Sequence, residues 1–250
     1  MTDHILIERP ETASHVQVIR FNRPEKKNAF TRAMYQAMTD ALRAADETSD
    51  IRAIAFLGSE GCFSAGNDLA DFLAFAMSGT MGREVLDFLA VLATAKKPVV
   101  SGVDGLAIGI GTTIHLHCDL TIASDRSLFK TPFVDLALVP EAASSLLAPR
   151  VMGHQRAFAL LALGEGFSAA EAKEAGLIWK ITTPEALEAE TLSLAAKLAA
   201  KPPEALRIAR DLMRSSPEDV LARIEEEARH FAAQLKSAEA RAAFEAFMKR

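Results

Sequence analysis

Apolar residues alternate or cluster over Ile5–Glu8 and Val16–Phe21, and the Asn22-Arg23-Pro24-Glu25 run that follows cannot continue a strand. The chain therefore opens with two strands around a turn. The period then changes: Met34, Met38, Leu42 and Ala45 recur on one face of a helix predicted from Arg32 to about Thr48, with Thr31 as its N-cap. A buried strand, Ile51–Leu57, leads to the glycine turn Phe63-Ser64-Ala65-Gly66-Asn67-Asp68-Leu69. A helix around Met81–Ala95 precedes a strand, Pro98–Val103, that runs into a second turn, Asp104-Gly105-Leu106-Ala107-Ile108-Gly109-Ile110-Gly111-Thr112. Asp119–Ala123 gives another strand, Phe129–Val139 is mixed, and the remainder is mostly helix. Repeated strand, turn and helix units followed by helices predict an α/β core with a helical tail.

The tail has its own punctuation. Ser168 and Glu171 form a capping box at the start of a short helix that Ala175-Gly176-Leu177 ends. Leu187–Ala200 and Ala205–Arg214 read as helices separated by Lys201-Pro202-Pro203, and Pro217–Lys236 begins a last long one. Their apolar faces require a partner, either the core or a neighbouring subunit.

With 250 residues, half of them apolar, the chain can bury a large core. A net charge of -5 with scattered basic residues gives no footprint for nucleic acid. The two cysteines, Cys62 and Cys118, suggest no disulfide framework, and no segment is apolar for long enough to span a bilayer. Met1-Thr2-Asp3-His4 lacks the basic start of a signal peptide, so a reducing, cytoplasmic location without membrane association is the expectation.

The two glycine turns carry the chemistry. Each follows a strand and opens towards a helix, which leaves backbone N–H groups free. Two such groups converging on one point can hold an oxygen that is becoming negative. Either turn alone also suits phosphate binding or simple chain reversal. His115, His117 and Cys118 contain three metal-binding types, but their place before a strand favours buried packing, and no second cluster completes a metal site.

The segments Asn22-Arg23-Pro24-Glu25-Lys26-Lys27-Asn28-Ala29-Phe30, Phe63–Leu69, Lys97-Pro98-Val99-Val100, Asp104–Ala107 and Ala172–Leu177 together resemble the crotonase, or enoyl-CoA hydratase/isomerase, family along essentially the whole chain. The resemblance implies a spiral of ββα units with a C-terminal helical trimerisation region. It divides the chain into an acyl-CoA-binding catalytic core over 1–190 and an oligomerisation region over 191–250. It also implies an acyl-CoA thioester substrate and a homotrimer or homohexamer. No cofactor is expected, because coenzyme A arrives as part of the substrate. Matched residue by residue, Asn67 and Ile110 supply the oxyanion N–H groups, and Lys26, Lys27, Ala29, Ala65, Gly66, Asp68 and Leu69 lie against coenzyme A.

The positions at which hydratases of this family carry their two glutamates fall on Thr113 and Phe133, neither of which is a carboxylate. Glu141, in Val139-Pro140-Glu141-Ala142-Ala143-Ser144-Ser145, stands where Δ3,Δ2-enoyl-CoA isomerases of the peroxisomal type carry a single base. One carboxylate suffices to move a proton from C2 to C4 of an enoyl thioester. Apolar neighbours Val139, Ala142 and Leu146 raise its pKa, whereas a helix beginning near Pro140 opposes them. Three readings follow: an isomerase using Glu141, a hydratase recruiting another acid such as Asp135, and a catalytically inactive acyl-CoA-binding scaffold. On its extended segment Asp135 equally points to solvent or pairs with Arg126, and Asp68 reads more simply as a helix cap that fixes the loop.

Overall fold

The computed structural model describes residues 2–68, 70–71 and 83–248. In chain order the elements that matter are β1 (Ile5–Glu8), β2 (Val16–Phe21), α1 (Arg32–Glu47), β3 (Ala53–Leu57), β4 (Cys62–Ser64), α2 (Arg83–Ala93), β5 (Val99–Val103) and β6 (Leu106–Ile108). The short α3 (Ile110–Thr113), β7 (Leu120–Ser124), β8 (Leu128–Lys130), α4 (Ser144–Met152), α5 (His154–Leu161), β9 (Phe167–Ser168), α6 (Ala169–Glu174) and β10 (Lys180–Thr182) follow. Four helices end the chain: α7 (Pro184–Ala199), α8 (Pro203–Met213), α9 (Pro217–Leu235) and α10 (Ala238–Met248).

Each repeat splits its strands between two sheets. The larger sheet runs β1-β2-β3-β5-β7-β10 and the smaller β4-β6-β8-β9. The pairs β3/β4, β5/β6 and β7/β8 thus give one strand to each, and all pairings among β2, β3, β5 and β7, and among β4, β6 and β8, are parallel. Phe30 forms a single parallel bridge with Asn67, extending the smaller sheet back to the first repeat. The sequence reading placed β4 and β6 inside the glycine turns; at three residues each, they are too short for an alternating pattern to reveal.

The turns between the two sheets are stacked at backbone contact. A Cβ added to Gly105 (φ +67°) would lie 1.9 Å from the Gly61 carbonyl oxygen. The Asp104 carboxylate ties three successive turns together, accepting from the Gly61 N–H at 2.6 Å, from Ser124 Oγ at 2.7 Å and from Arg126 Nε and Nη2 at 2.8 and 2.6 Å. The Arg126 hydrogen bond, assisted by the Gly61 and Ser124 donors against an opposing burial effect, holds this carboxyl at about 2. Arg126 is therefore engaged with Asp104, and of the two alternatives for Asp135 the structure shows the solvent-exposed one.

Thr31 caps α1 as the sequence indicates, accepting from the Met34 N–H at 3.3 Å, and Met34, Met38, Leu42 and Ala45 are all buried. The Ser168–Glu171 capping box is present. Two expectations change. The helix placed near Pro140 begins at Ser144, because Ala142 and Ala143 adopt left-handed φ values of 60° and 54° and cannot start it. The last helix is two, separated at Lys236 and Ser237.

The tail packs on its own core. Val220, Ile224, Phe231 and Leu235 of α9 and Ala240 and Phe244 of α10 join the cluster that contains Phe21, Phe30, Phe56 and Phe63. Helix α8 is docked by the buried Arg210, whose Nε lies 2.8 Å from both Asp119 carboxylate oxygens, while Asp119 Oδ2 accepts from the Val99 N–H.

Gly105→Ala combines left-handed backbone with a steric conflict and is expected to cost more than about 3 kcal/mol. Gly153→Ala, at φ +76° and ψ 162° with nothing within 4 Å of the added carbon, bears backbone strain alone and is expected to cost about 1–3 kcal/mol. Urea unfolding of the two variants measures the difference; equal losses would remove the turn-stacking argument.

Candidate active site

The carboxyl ends of three neighbouring parallel strands open into one cleft of about 640 Å³. Ala65, Gly66 and Asn67 follow β4; Ile108, Gly109 and Ile110 come from β6 and its turn; Lys130, Pro132 and Phe133 come from β8 and its extension. Leu136 and Leu138, with Phe231 and Phe244 from the C-terminal helices, complete an apolar wall. Open parallel sheets place ligands at this end of their strands.

Two backbone donors follow from the strand pairing. In the Phe30–Asn67 bridge, Phe30 N–H donates to Gly66 O at 2.7 Å and Asp68 N–H donates to Phe30 O at 2.9 Å. The bridge uses the groups on either side of Asn67 and turns the Asn67 N–H away from Phe30. Ile110 is the first residue of α3, so its N–H has no intrahelical acceptor, and Gly109 (φ 56°) offers no side chain to cap it. Among the described residues neither N–H has a protein acceptor, and both residues line the cleft. Both remain available to a ligand in the cleft. Gly66 (φ +93°) permits the approach, since a Cβ there would come within 2.9 Å of the Ile108 carbonyl oxygen.

The residues assigned to coenzyme A gather around the same bridge. Ala65 N–H donates to Lys27 O at 2.8 Å, and Arg23 Nη1 joins Ala29 O at 2.9 Å to Asp68 Oδ2 at 2.6 Å. Lys26 and Lys27 are exposed. Asp68 Oδ1 accepts from the Ala70 N–H at 2.9 Å, as a cap does. Burial works to raise the Asp68 pKa, but Arg23 and the backbone donors outweigh it and hold the group low. Leu69, also assigned to coenzyme A, lies outside the described residues.

Glu141 is 5% exposed; Leu138, three residues before it, lines the cleft. Thr113, three residues after Ile110 on α3, donates to Glu141 Oε1 at 2.6 Å. The position at which a second carboxylate was sought therefore carries a hydroxyl that serves the first. Phe133 lines the cleft as an apolar surface, and Asp135 sits exposed at its edge. Burial pushes Glu141 up to about 8, with the nearby Glu227 charge adding to the shift and the Thr113 hydrogen bond opposing it. With the helix start displaced to Ser144, burial prevails over the dipole.

Two neighbours, Tyr35 and Glu227, escaped the sequence reading, and a third, His117, is buried as its place before a strand implies. Tyr35, fully buried, donates its hydroxyl to Asn67 Oδ1 and stays neutral through burial and the charges of Glu141 and Asp71. His117 Nε2 lies 2.7 Å from the Ala142 carbonyl oxygen, and burial lowers its pKa to about 4, so the neutral ring donates there. Glu227, in the acidic run Glu225–Glu227, takes the backbone of Ala143 and Ser145. Its signal was present: Val220, Ile224, Glu227 and Phe231 share the buried face of α9. His115 stands between Phe63 and Phe129 with Nδ1 3.0 Å from Ser101 Oγ, in accord with a packing role.

A sequence model described as Enoyl-CoA hydratase/isomerase matches residues 11–250, and the chain belongs to that family. It is 37% identical to enoyl-CoA delta isomerase 2 of Rattus norvegicus over 216 residues, covering 84% of this chain and 54% of the rat protein, so it spans about half of that relative. It is 31% identical to a probable enoyl-CoA hydratase of Rhizobium meliloti over 212 residues, covering 85% of this chain and 82% of that one. The solved structure of Pseudomonas aeruginosa OdaA superposes with a TM-score of 0.93 at 36% identity, covering 100% of both chains.

A folded-state value near 8 exceeds the ordinary 4.5, so the native protein holds a proton on Glu141 that the unfolded chain releases between those limits. The stability this group contributes is complete below about 4.5 and is lost as pH rises through about 8. Urea unfolding at pH 5 and pH 9 is expected to show Glu141→Gln gaining on the wild type by about 2–5 kcal/mol at the higher pH. A difference independent of pH would show that Glu141 is not buried uncharged.

Proposed function

We propose that this protein is a Δ3,Δ2-enoyl-CoA isomerase. The observation that carries the reading is one buried carboxylate, Glu141, hydrogen-bonded to Thr113 of the same turn that begins with the Ile110 N–H. A 3-enoyl thioester places its carbonyl oxygen on the Asn67 and Ile110 N–H groups. Ionised Glu141 removes a proton from C2, and the electron pair spreads through the thioester to that oxygen as a dienolate. The protonated acid then returns the same proton at C4, leaving the double bond between C2 and C3. Proton and electron counts are unchanged, so the reaction calls for neither water nor a redox group.

The electrostatics suit this cycle. A carboxylate near 8 is a far stronger base than a free glutamate, yet readily deprotonated at mildly alkaline pH. Two donors held on backbone are worth most towards charge that develops in a site shielded from water. Lys26 and Lys27 provide exposed cations for the phosphates of coenzyme A, and Ala29, Ala65, Gly66, Asp68 and Leu69 its remaining cradle, with Arg23 holding the turn. The similarity to the rat delta isomerase supports the reading. Hydration would require a second acid, for which the cleft edge offers only Asp135 among the described carboxylates.

We also propose assembly as a homotrimer or homohexamer. Ile208, Leu212 and Met213 of α8 are 45%, 81% and 81% exposed, an apolar surface that another copy would cover. Sedimentation equilibrium is expected to give three or six copies; a monomer at micromolar concentration would overturn this assignment.

Side-by-side absorbance assays on trans-3-enoyl-CoA and trans-2-enoyl-CoA test the chemistry. Conjugation should appear from the first ester with little loss from the second. Glu141→Gln should lower kcat by about 10³-fold or more with coenzyme A ester binding retained. Rapid loss of the 2-enoyl chromophore would establish hydration, and binding without turnover would establish a scaffold. In the free enzyme, kcat/KM is expected to fall tenfold per pH unit below about 8. A profile flat from pH 6 to 9 would exclude Glu141 as the base.

A further inference from the structure

The loop that carries Glu141 is shaped against its own preferences. Ala142 and Ala143 are consecutive left-handed alanines, and α4 begins with Ala143 at a capping position that has no side-chain acceptor. An isolated chain would relax both features. In the folded protein the missing acceptor comes from 84 residues away, where Glu227 Oε2 accepts from the Ala143 N–H at 2.6 Å. Glu227 Oε1 accepts from the Ser145 N–H at 2.9 Å and from the Ser145 hydroxyl. On the other side of the loop, the Ala142 carbonyl is held by His117. Glu227 is 5% exposed, and one helical turn later on the same face Phe231 forms part of the cleft wall.

We propose that Glu227 is a positioning residue for Glu141: reaching in from α9, it caps α4 and locks the left-handed turn that holds the base beside Thr113. The inference rests on the assignment of Glu141 as the proton carrier. It makes α9 part of the site twice over, as wall through Phe231 and as anchor through Glu227. The groups facing this pair are Thr113 and Tyr35 around Glu141, His117 and Arg214 behind Ala142, and Ser145 and Arg223 around Glu227. None is a cation in direct contact with Glu141; Arg223 lies on the Glu227 side, where it opposes the burial that raises the Glu227 pKa.

Glu227→Gln preserves shape, removes the charge and leaves one loop N–H without its acceptor. The expected result is a fall in kcat of about tenfold or more with KM changed less than twofold, because an untethered base misplaces the proton rather than the thioester. The acid limb of the pH profile should move down, since the Glu227 charge that adds to the Glu141 shift is gone. A purely structural Glu227 would lower the melting temperature and leave that limb in place, which would overturn the proposal. Ser145→Ala, a milder change that removes one donor and keeps the charge, should lower kcat a few-fold with the limb unmoved; it decides the matter if Glu227→Gln does not fold. Should the wild-type protein not turn over 3-enoyl-CoA, the isomerase reading fails at that step. Carbon-13 NMR titration of the Glu141 carboxyl in wild type and variant then still decides whether Glu227 holds it. An unchanged midpoint and chemical shift would refute the coupling.

Discussion

One carboxylate, that of Asp104, binds together the turns of three consecutive repeats, and the geometry of the cleft depends on it. Each time the chain leaves the larger sheet it must reverse within a few residues and place a short strand in the smaller one. These turns stack so closely that the Gly105 position has no room for a Cβ beside the Gly61 carbonyl. Asp104 takes a backbone N–H from the first turn and side-chain donors from the third, and Arg126 keeps it ionised. Because β4, β6 and β8 are thereby locked in parallel register, their carboxyl ends emerge side by side. The Asn67 and Ile110 N–H groups owe their common cleft to that alignment.

Two opposing requirements meet at Glu141, the proposed base. Reactivity in that role calls for a raised pKa, which burial achieves by destabilising the charged form. A shift from 4.5 to about 8 corresponds to roughly 5 kcal/mol against the carboxylate, a large share of a domain's net stability. The Thr113 hydroxyl returns part of that, and the backbone around Glu141 is secured by His117 and Glu227 rather than by local preference. Strain and buried charge are concentrated in one loop and compensated by groups on α9 and on the turn before β7, in keeping with how functional sites hold unfavourable conformations.

Membership of the enoyl-CoA hydratase/isomerase family is consistent with this division of labour, in which a rigid backbone scaffold meets substituted side chains. Thr113 and Phe133 show how the substitution works. Thr113 donates to a buried carboxylate and Phe133 forms part of an apolar wall, so both positions are filled without opening the fold.

Features that repeat locally can be read from residue order alone. The period-four face of α1, its Thr31 cap, the Ser168–Glu171 box and the longer strands were legible because each is set by neighbours within a few residues. The glycine turns and Glu141 stand out as well, since their residue types are unusual for ordinary loops or match a family pattern. The remaining features depend on contacts between distant segments. Glu227 reads as one more acid in an acidic run until α9 turns it against Ala143, and Tyr35 reads as core until its hydroxyl meets Asn67. The start of α4 at Ser144 and the prevalence of burial over the helix dipole at Glu141 likewise follow from contacts between distant segments. Local periodicity encodes which face of an element is buried; what that face meets is fixed only when the sheets and helices close around it.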